Sequence, residues 1–92
     1  MPAYSAEEAQ AHLKKLKDWQ IEAGELVKMF QFHHFRESLA FVNKVGELAE
    51  SAGHHPDIDI RYNRVRLRLS THDAGGITEK DFDLAGRADK LG

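Results

Sequence analysis

The stretch from Pro56 to Thr71 constrains the fold most. Ile58, Ile60 and Tyr62 alternate with Asp57, Asp59 and Arg61, and Val65, Leu67 and Leu69 alternate with Arg64, Arg66 and Arg68. Side chains two apart share one face of a strand, so each run presents an apolar face and a charged one. A turn centred on Tyr62-Asn63 sets Ile60 opposite Val65 and Ile58 opposite Leu67. The same register sets Asp59 opposite Arg66 and Asp57 opposite Arg68. Apolar meets apolar and acid meets base, the pairing that cross-strand energetics favour.

The segments around this hairpin read in turn. Ser5 with Glu8 forms a candidate capping box, and Leu13 and Leu16 supply a thin apolar stripe, which predicts a helix over about 5–17. From Trp19 to Phe32 the period changes to two, and Ala23-Gly24 separates extended runs at about 19–22 and 25–32. Both faces of the second run carry apolar groups, so its register stays open. Phe35, Leu39, Val42, Val45 and Ala49 form a helical stripe ended by Gly53. Gly46 inside that helix is expected to permit a close helix contact. Thr78, with Asp81 three places on, starts a last helix carrying Phe82, Leu84, Ala85, Ala88 and Leu91. The order α-β-β-α-β-β-α implies an α+β fold: an antiparallel sheet with one face covered by helices.

The 92 residues are read as one domain, 1–92, with 41% apolar and 30% charged residues. A chain of this size buries only about 60% of its unfolded surface, so an oligomer is expected. The formal net charge of −2 argues against a general nucleic-acid or anionic-membrane binder. The absence of Cys excludes a disulfide scaffold, a Cys-ligated zinc site and a thiol nucleophile. The beginning MPAYSAEEAQ carries acid where a signal peptide carries base, and no run approaches the ~20 apolar residues of a membrane span. The expected location is the cytoplasm.

Chemistry concentrates in the six histidines. His54-His55-Pro56 follows a helix stop and precedes a strand, and Pro56 biases His55 away from helix. His72 lies just past the end of the partner strand, so the hairpin register brings it to the same sheet end. Imidazoles with ordinary pKa values of about 6.5 suit proton transfer near neutral pH. The bland alternative is three exposed loop residues. A zinc site using these histidines with Asp57 or Asp73 is disfavoured, because adjacent residues in extended chain diverge. His33-His34 reads as surface or helix capping, and His12 as a solvated side chain on the polar side of its helix. Trp19 reads as core or pocket wall. Glu50, one helical turn before His54, is either a solvated acid or the group that orients an imidazole. Asp81 is accounted for as a helix cap. Asp57 and Asp59 are placed to neutralise the basic stripe of Arg64, Arg66 and Arg68.

Glu50, three residues, His54-His55-Pro56, five residues, Tyr62, nine residues, His72, eight residues, Asp81: this spacing resembles the signature of the pterin-4a-carbinolamine dehydratase family. Ser70-Thr71-His72 and the run of Trp19, Phe30, Phe32 and Phe35 ahead of the central helix are similar too. The resemblance covers roughly residues 5 to 91. Gly53 and Ala74 stand where some members carry Asp and Cys; neither position needs its side chain for proton transfer.

The resemblance implies a four-stranded antiparallel sheet with three helices on one face, assembled as a homodimer or a homotetramer. It implies dehydration of a 4a-hydroxytetrahydropterin to the quinonoid dihydropterin, with no metal and no cofactor beyond the pterin substrate. It implies a link to an aromatic amino acid hydroxylase, whose spent cofactor the reaction would restore. By position, His54 and His72 would be the acid–base pair, His55 would mainly bind the pterin, and Glu50 would support the histidines. Pro56, Ser70, Thr71 and Asp73 would line the pocket. The competing expectation is a non-catalytic dimerisation or transcriptional-cofactor role for the same fold; the lack of a basic nuclear-import cluster speaks against it. A loop imidazole at position 54 is expected to matter far more to rate than to stability.

Overall fold

Asp57 pairs with Arg68, Ile58 with Leu67, Asp59 with Arg66 and Ile60 with Val65, the register that the alternating pattern requires. The computed structural model describes residues 2–92. These strands are β3 (Asp57–Arg61) and β4 (Arg64–Leu69). They follow α1 (Ala6–Leu13), β1 (Gln20–Glu22), β2 (Glu25–Gln31) and α2 (Phe35–Ala52), and precede a 3₁₀ turn, His72–Ala74, and α3 (Glu79–Asp89). The sheet order is β1-β2-β4-β3, with every pair antiparallel. The fold is α+β, as expected.

One sheet face builds the core. Leu26 and Phe30 of β2 and Val65, Leu67 and Leu69 of β4 cluster with Phe41 and Val45 of α2 and Leu84, Ala85 and Ala88 of α3. Leu26, Leu67 and Leu69 are at most 1% exposed, and burying each contributes roughly 1.5–3 kcal/mol. Trp19 is core, and its indole N–H donates to Asp89 at 3.0 Å.

The register left open at β2 is settled by an ion pair. Lys28 stands between Leu26 and Phe30 on the core side, opposite Leu67. Its ammonium reaches Asp89 at 2.8 Å and the Lys17 carbonyl at 3.2 Å, and lies 4.7 Å from the Phe30 ring centroid. A charge can stand at the core edge because its donors are satisfied.

Three local expectations are corrected. α1 is shorter than expected: residues 14–17 form turns, and Asp18 takes φ 67 as the chain swings towards β1. Gly46 serves no close contact, since a Cβ there would meet nothing within 4 Å. His12 is half-buried rather than solvated, because the amino-terminal segment folds back and stacks Tyr4 on it. His34 does cap α2, accepting from Glu37 N–H at 3.4 Å.

An apolar patch is left uncovered on this chain. Phe35 and Leu39 of α2 and Ile58 of the edge strand β3 are each about 40% exposed, and the Tyr62 ring stacks on Phe35 with planes 10° apart. No helix among the described residues is long and apolar enough to cross a membrane.

Candidate active site

The end of α2 fixes the direction of the two adjacent histidines. Gly53 adopts φ 64, a left-handed conformation that glycine takes without steric cost. The Gly53 N–H donates to the Glu50 carbonyl at 3.3 Å and the His54 N–H to the Ala49 carbonyl at 3.2 Å, closing the helix with a Schellman-type pattern. The chain then runs through Pro56 into β3, with His54 half-buried and His55 exposed.

His54 turns inward. Its Nε2 lies 2.5 Å from Asp81 Oδ1, and the Asp81 side chain is fully buried. Asp81 Oδ2 accepts from the Thr78 N–H and the Thr71 hydroxyl, each at 2.9 Å. The Thr71 and Thr78 hydroxyl oxygens are 2.8 Å apart, and the Lys80 N–H donates to Thr78 Oγ1 at 3.2 Å. Thr71 has one hydroxyl proton. Giving it to Asp81 obliges Thr78 to donate to Thr71. Two donors thus hold the carboxylate as an acceptor, and His54 meets its other oxygen through Nε2–H. Nδ1 is left as the nitrogen available for chemistry.

His55 turns the other way. Its Nε2 is paired with the Glu50 carboxylate, and these side chains are 60% and 78% exposed. Glu50 therefore orients His55 rather than the half-buried His54. The two imidazoles lean on different acids, as expected of neighbours in extended chain.

Thr71 links this network to the third histidine. An isolated bridge between Thr71 and Gly76 closes a loop whose 3₁₀ turn carries His72 and Asp73, both exposed. The Thr71 N–H donates to the Gly76 carbonyl at 2.8 Å. His72 thus sits one residue from a direct ligand of Asp81, at the sheet end predicted for it. Ser70 and Pro56 are half-buried on the adjoining strand ends. Hollows of about 620 and 540 Å³ flank α2; Glu50 lines the first, and the three histidines line neither.

Two residues of the site escaped the residue-by-residue reading. Asp81 was accounted for by its capping role, which it does perform, but its second oxygen holds His54. Thr78 is buried and binds both Thr71 and Asp81. The signal for Asp81 lay in its fixed spacing from His72.

Comparison with known proteins gives the family of the chain. The profile of the family described as pterin 4 alpha carbinolamine dehydratase matches residues 2–91. The chain belongs to that family. Pterin-4-alpha-carbinolamine dehydratases, so named provisionally, include a protein of Chloroflexus aurantiacus that is 55% identical over 99% of this chain and 98% of its own. Another, from Acidobacterium capsulatum, is 57% identical over 89% of both chains. Among solved structures, the Brucella melitensis protein described as a transcriptional coactivator/pterin dehydratase superposes with TM-score 0.93 at 28% identity, over 97% of each chain. A pterin dehydratase-like protein described as a RuBisCO assembly factor in the alpha-carboxysome matches with TM-score 0.66 at 28% identity, over 79% of this chain and 84% of its own. A dehydratase eliminates water, so the family is one of hydro-lyases.

Proposed function

We propose that this protein dehydrates a 4a-hydroxytetrahydropterin to the quinonoid dihydropterin by histidine acid–base catalysis. The observation that carries the reading is the His54–Asp81 pair: a half-buried imidazole with its tautomer set by a buried carboxylate. Family membership supports the substrate class.

The reaction breaks the C4a–O bond, whose electron pair leaves with oxygen. An imidazolium supplies the proton that turns the departing hydroxide into water. The N5 lone pair forms the C4a=N5 double bond, and a neutral imidazole or a bound water takes the N5 proton. The substrate loses one water and no electrons. His54, through Nδ1, and His72 are the proposed acid–base pair, and help of this kind contributes typically 10²–10⁴-fold. His55, oriented by Glu50, is proposed to contact the pterin, with Pro56, Ser70, Thr71 and Asp73 along the pocket wall. The scheme needs no metal and no cofactor besides the substrate.

We further place the protein in the cytoplasm as a homodimer or homotetramer, serving an aromatic amino acid hydroxylase. The uncovered Phe35, Leu39, Ile58 and Tyr62 patch beside an edge strand supports self-association.

Rapid mixing tests the reaction. A 4a-hydroxytetrahydropterin is generated in situ, and its loss is followed by absorbance with and without protein, under a metal chelator. Acceleration that survives the chelator is the expected result. Folded protein that gives no acceleration would remove the catalytic reading and leave a binding role.

A further inference from the structure

The amino-terminal segment lies against the loop that bears His72. The Tyr4 N–H donates to the Ile77 carbonyl at 2.8 Å. A Cβ placed on Gly76 would come within 3.1 Å of the Ala3 Cβ, so Ala3 rests on the returning arm of that loop. The Tyr4 ring stacks on His12 at 4.6 Å with planes 8° apart. Both rings meet Phe82, at 6.0 and 5.4 Å between centroids.

These contacts bracket the residues that hold His54. Ile77 immediately precedes Thr78, and Phe82 immediately follows Asp81. Tyr4 therefore grips the start of α3 from both sides, by its backbone before the cap and by its ring after it. Ser5 anchors the strap at its other end, as the N-cap of α1 in a complete capping box. Proton transfer has no use for Tyr4, whose ring is packed against His12 and Phe82.

We propose that Tyr4 is a positioning residue that straps the His72 loop and the first turn of α3, holding His72 and the His54–Asp81 pair in register. Its catalytic consequence rests on the dehydratase reading; its mechanical consequence does not.

Amide hydrogen exchange and steady-state kinetics on Tyr4→Ala and Tyr4→Phe test it together. The loop reports through the amides of Thr71, Ala74, Gly75 and Gly76, each hydrogen-bonded within the loop. In Tyr4→Ala their exchange is expected to rise about tenfold relative to β4 amides, a local loss of about 1.4 kcal/mol. The kcat is expected to fall on the order of tenfold with KM little changed, as for a misplaced catalytic group. Tyr4→Phe keeps the ring and should restore both. If Tyr4→Ala does not fold, His12→Ala removes the stacking partner and is read the same way. Loop exchange that stays at the wild-type level, or rises only as much as β4, would overturn the strap. So would a loosened loop with wild-type kcat. A wild-type protein with no dehydratase activity would instead defeat the functional reading, and exchange alone would then decide the strap.

Discussion

Asp81 divides its carboxylate between two tasks: Oδ1 holds His54 Nε2 at 2.5 Å, and Oδ2 accepts the Thr78 N–H that starts α3. A helix cap and an imidazole anchor are one group. Asp81→Asn tests the division, because it keeps the shape but leaves one acceptor oxygen for two tasks. The dehydration rate is expected to fall about 10²–10⁴-fold, the full contribution of a positioned acid or base. Stability should fall by about 0.5–2 kcal/mol, as for a lost cap. Stopped-flow rates and urea midpoints read the two effects separately; a wild-type rate would show that the pair has no part in the chemistry.

His54→Ala carries a larger structural penalty than a loop position suggests. It leaves one oxygen of a buried carboxylate without its donor, which costs about 1–3 kcal/mol. The rate should fall by a similar 10²–10⁴-fold. His55→Ala, at an exposed hydrogen-bonded pair, should alter stability by less than about 1 kcal/mol and act mainly on KM. Equal KM values for His55→Ala and wild type would remove His55 from pterin binding.

Acid sensitivity should appear at the start of α2. The His33 N–H donates to Glu37 at 2.8 Å, and this bond, with a smaller contribution from the nearby imidazoles, holds the Glu37 carboxyl below its ordinary value of 4.5. A depressed folded-state pKa gives stability that is fully present above the unfolded value and is lost as pH falls through the folded one. Wild type should therefore exceed Glu37→Gln in urea midpoint at pH 7. The gap should close as pH drops below about 4. A gap that persists at pH 2 would mean that the glutamate acts by packing rather than charge.

Ser38 is fully buried in α2, and its hydroxyl has no hydrogen-bond partner among the described residues. Ser38→Ala removes an unsatisfied polar group at little cost in volume. Thermal and urea unfolding should show stability unchanged or raised by about 1 kcal/mol. A clear loss would reveal a partner for the hydroxyl.

The β3–β4 register was legible because polar and apolar residues alternate there without exception, so a one-residue shift would invert both faces. β2 lacked that signal. Val27 and Met29 are as apolar as Leu26 and Phe30, and the one charge among them, Lys28, lies on the core side, held by Asp89 from far along the chain. The placement of His54, His55 and His72 at one sheet end followed from the hairpin. The pairing of His54 with Asp81 did not, because it depends on how α3 docks beside the sheet. Glu50 was read as either a solvated acid or a group that orients an imidazole, and which imidazole it meets depended on the rotation of the chain after Gly53. His12 was misplaced because a helix read in isolation gives no sign that Tyr4 will fold back upon it.

The hydroxyl chain behind His54 has a direction. It begins at the Lys80 N–H, a backbone donor that cannot reverse, and passes through Thr78 and Thr71 to Asp81. A row of hydrogen bonds anchored in that way cannot conduct. The Asp81 side of His54 is then a dead end for protons, and under the proposed chemistry any proton that His54 gains or loses passes through Nδ1. In the proposed reaction, a proton lost from His54 would have to return through that same nitrogen.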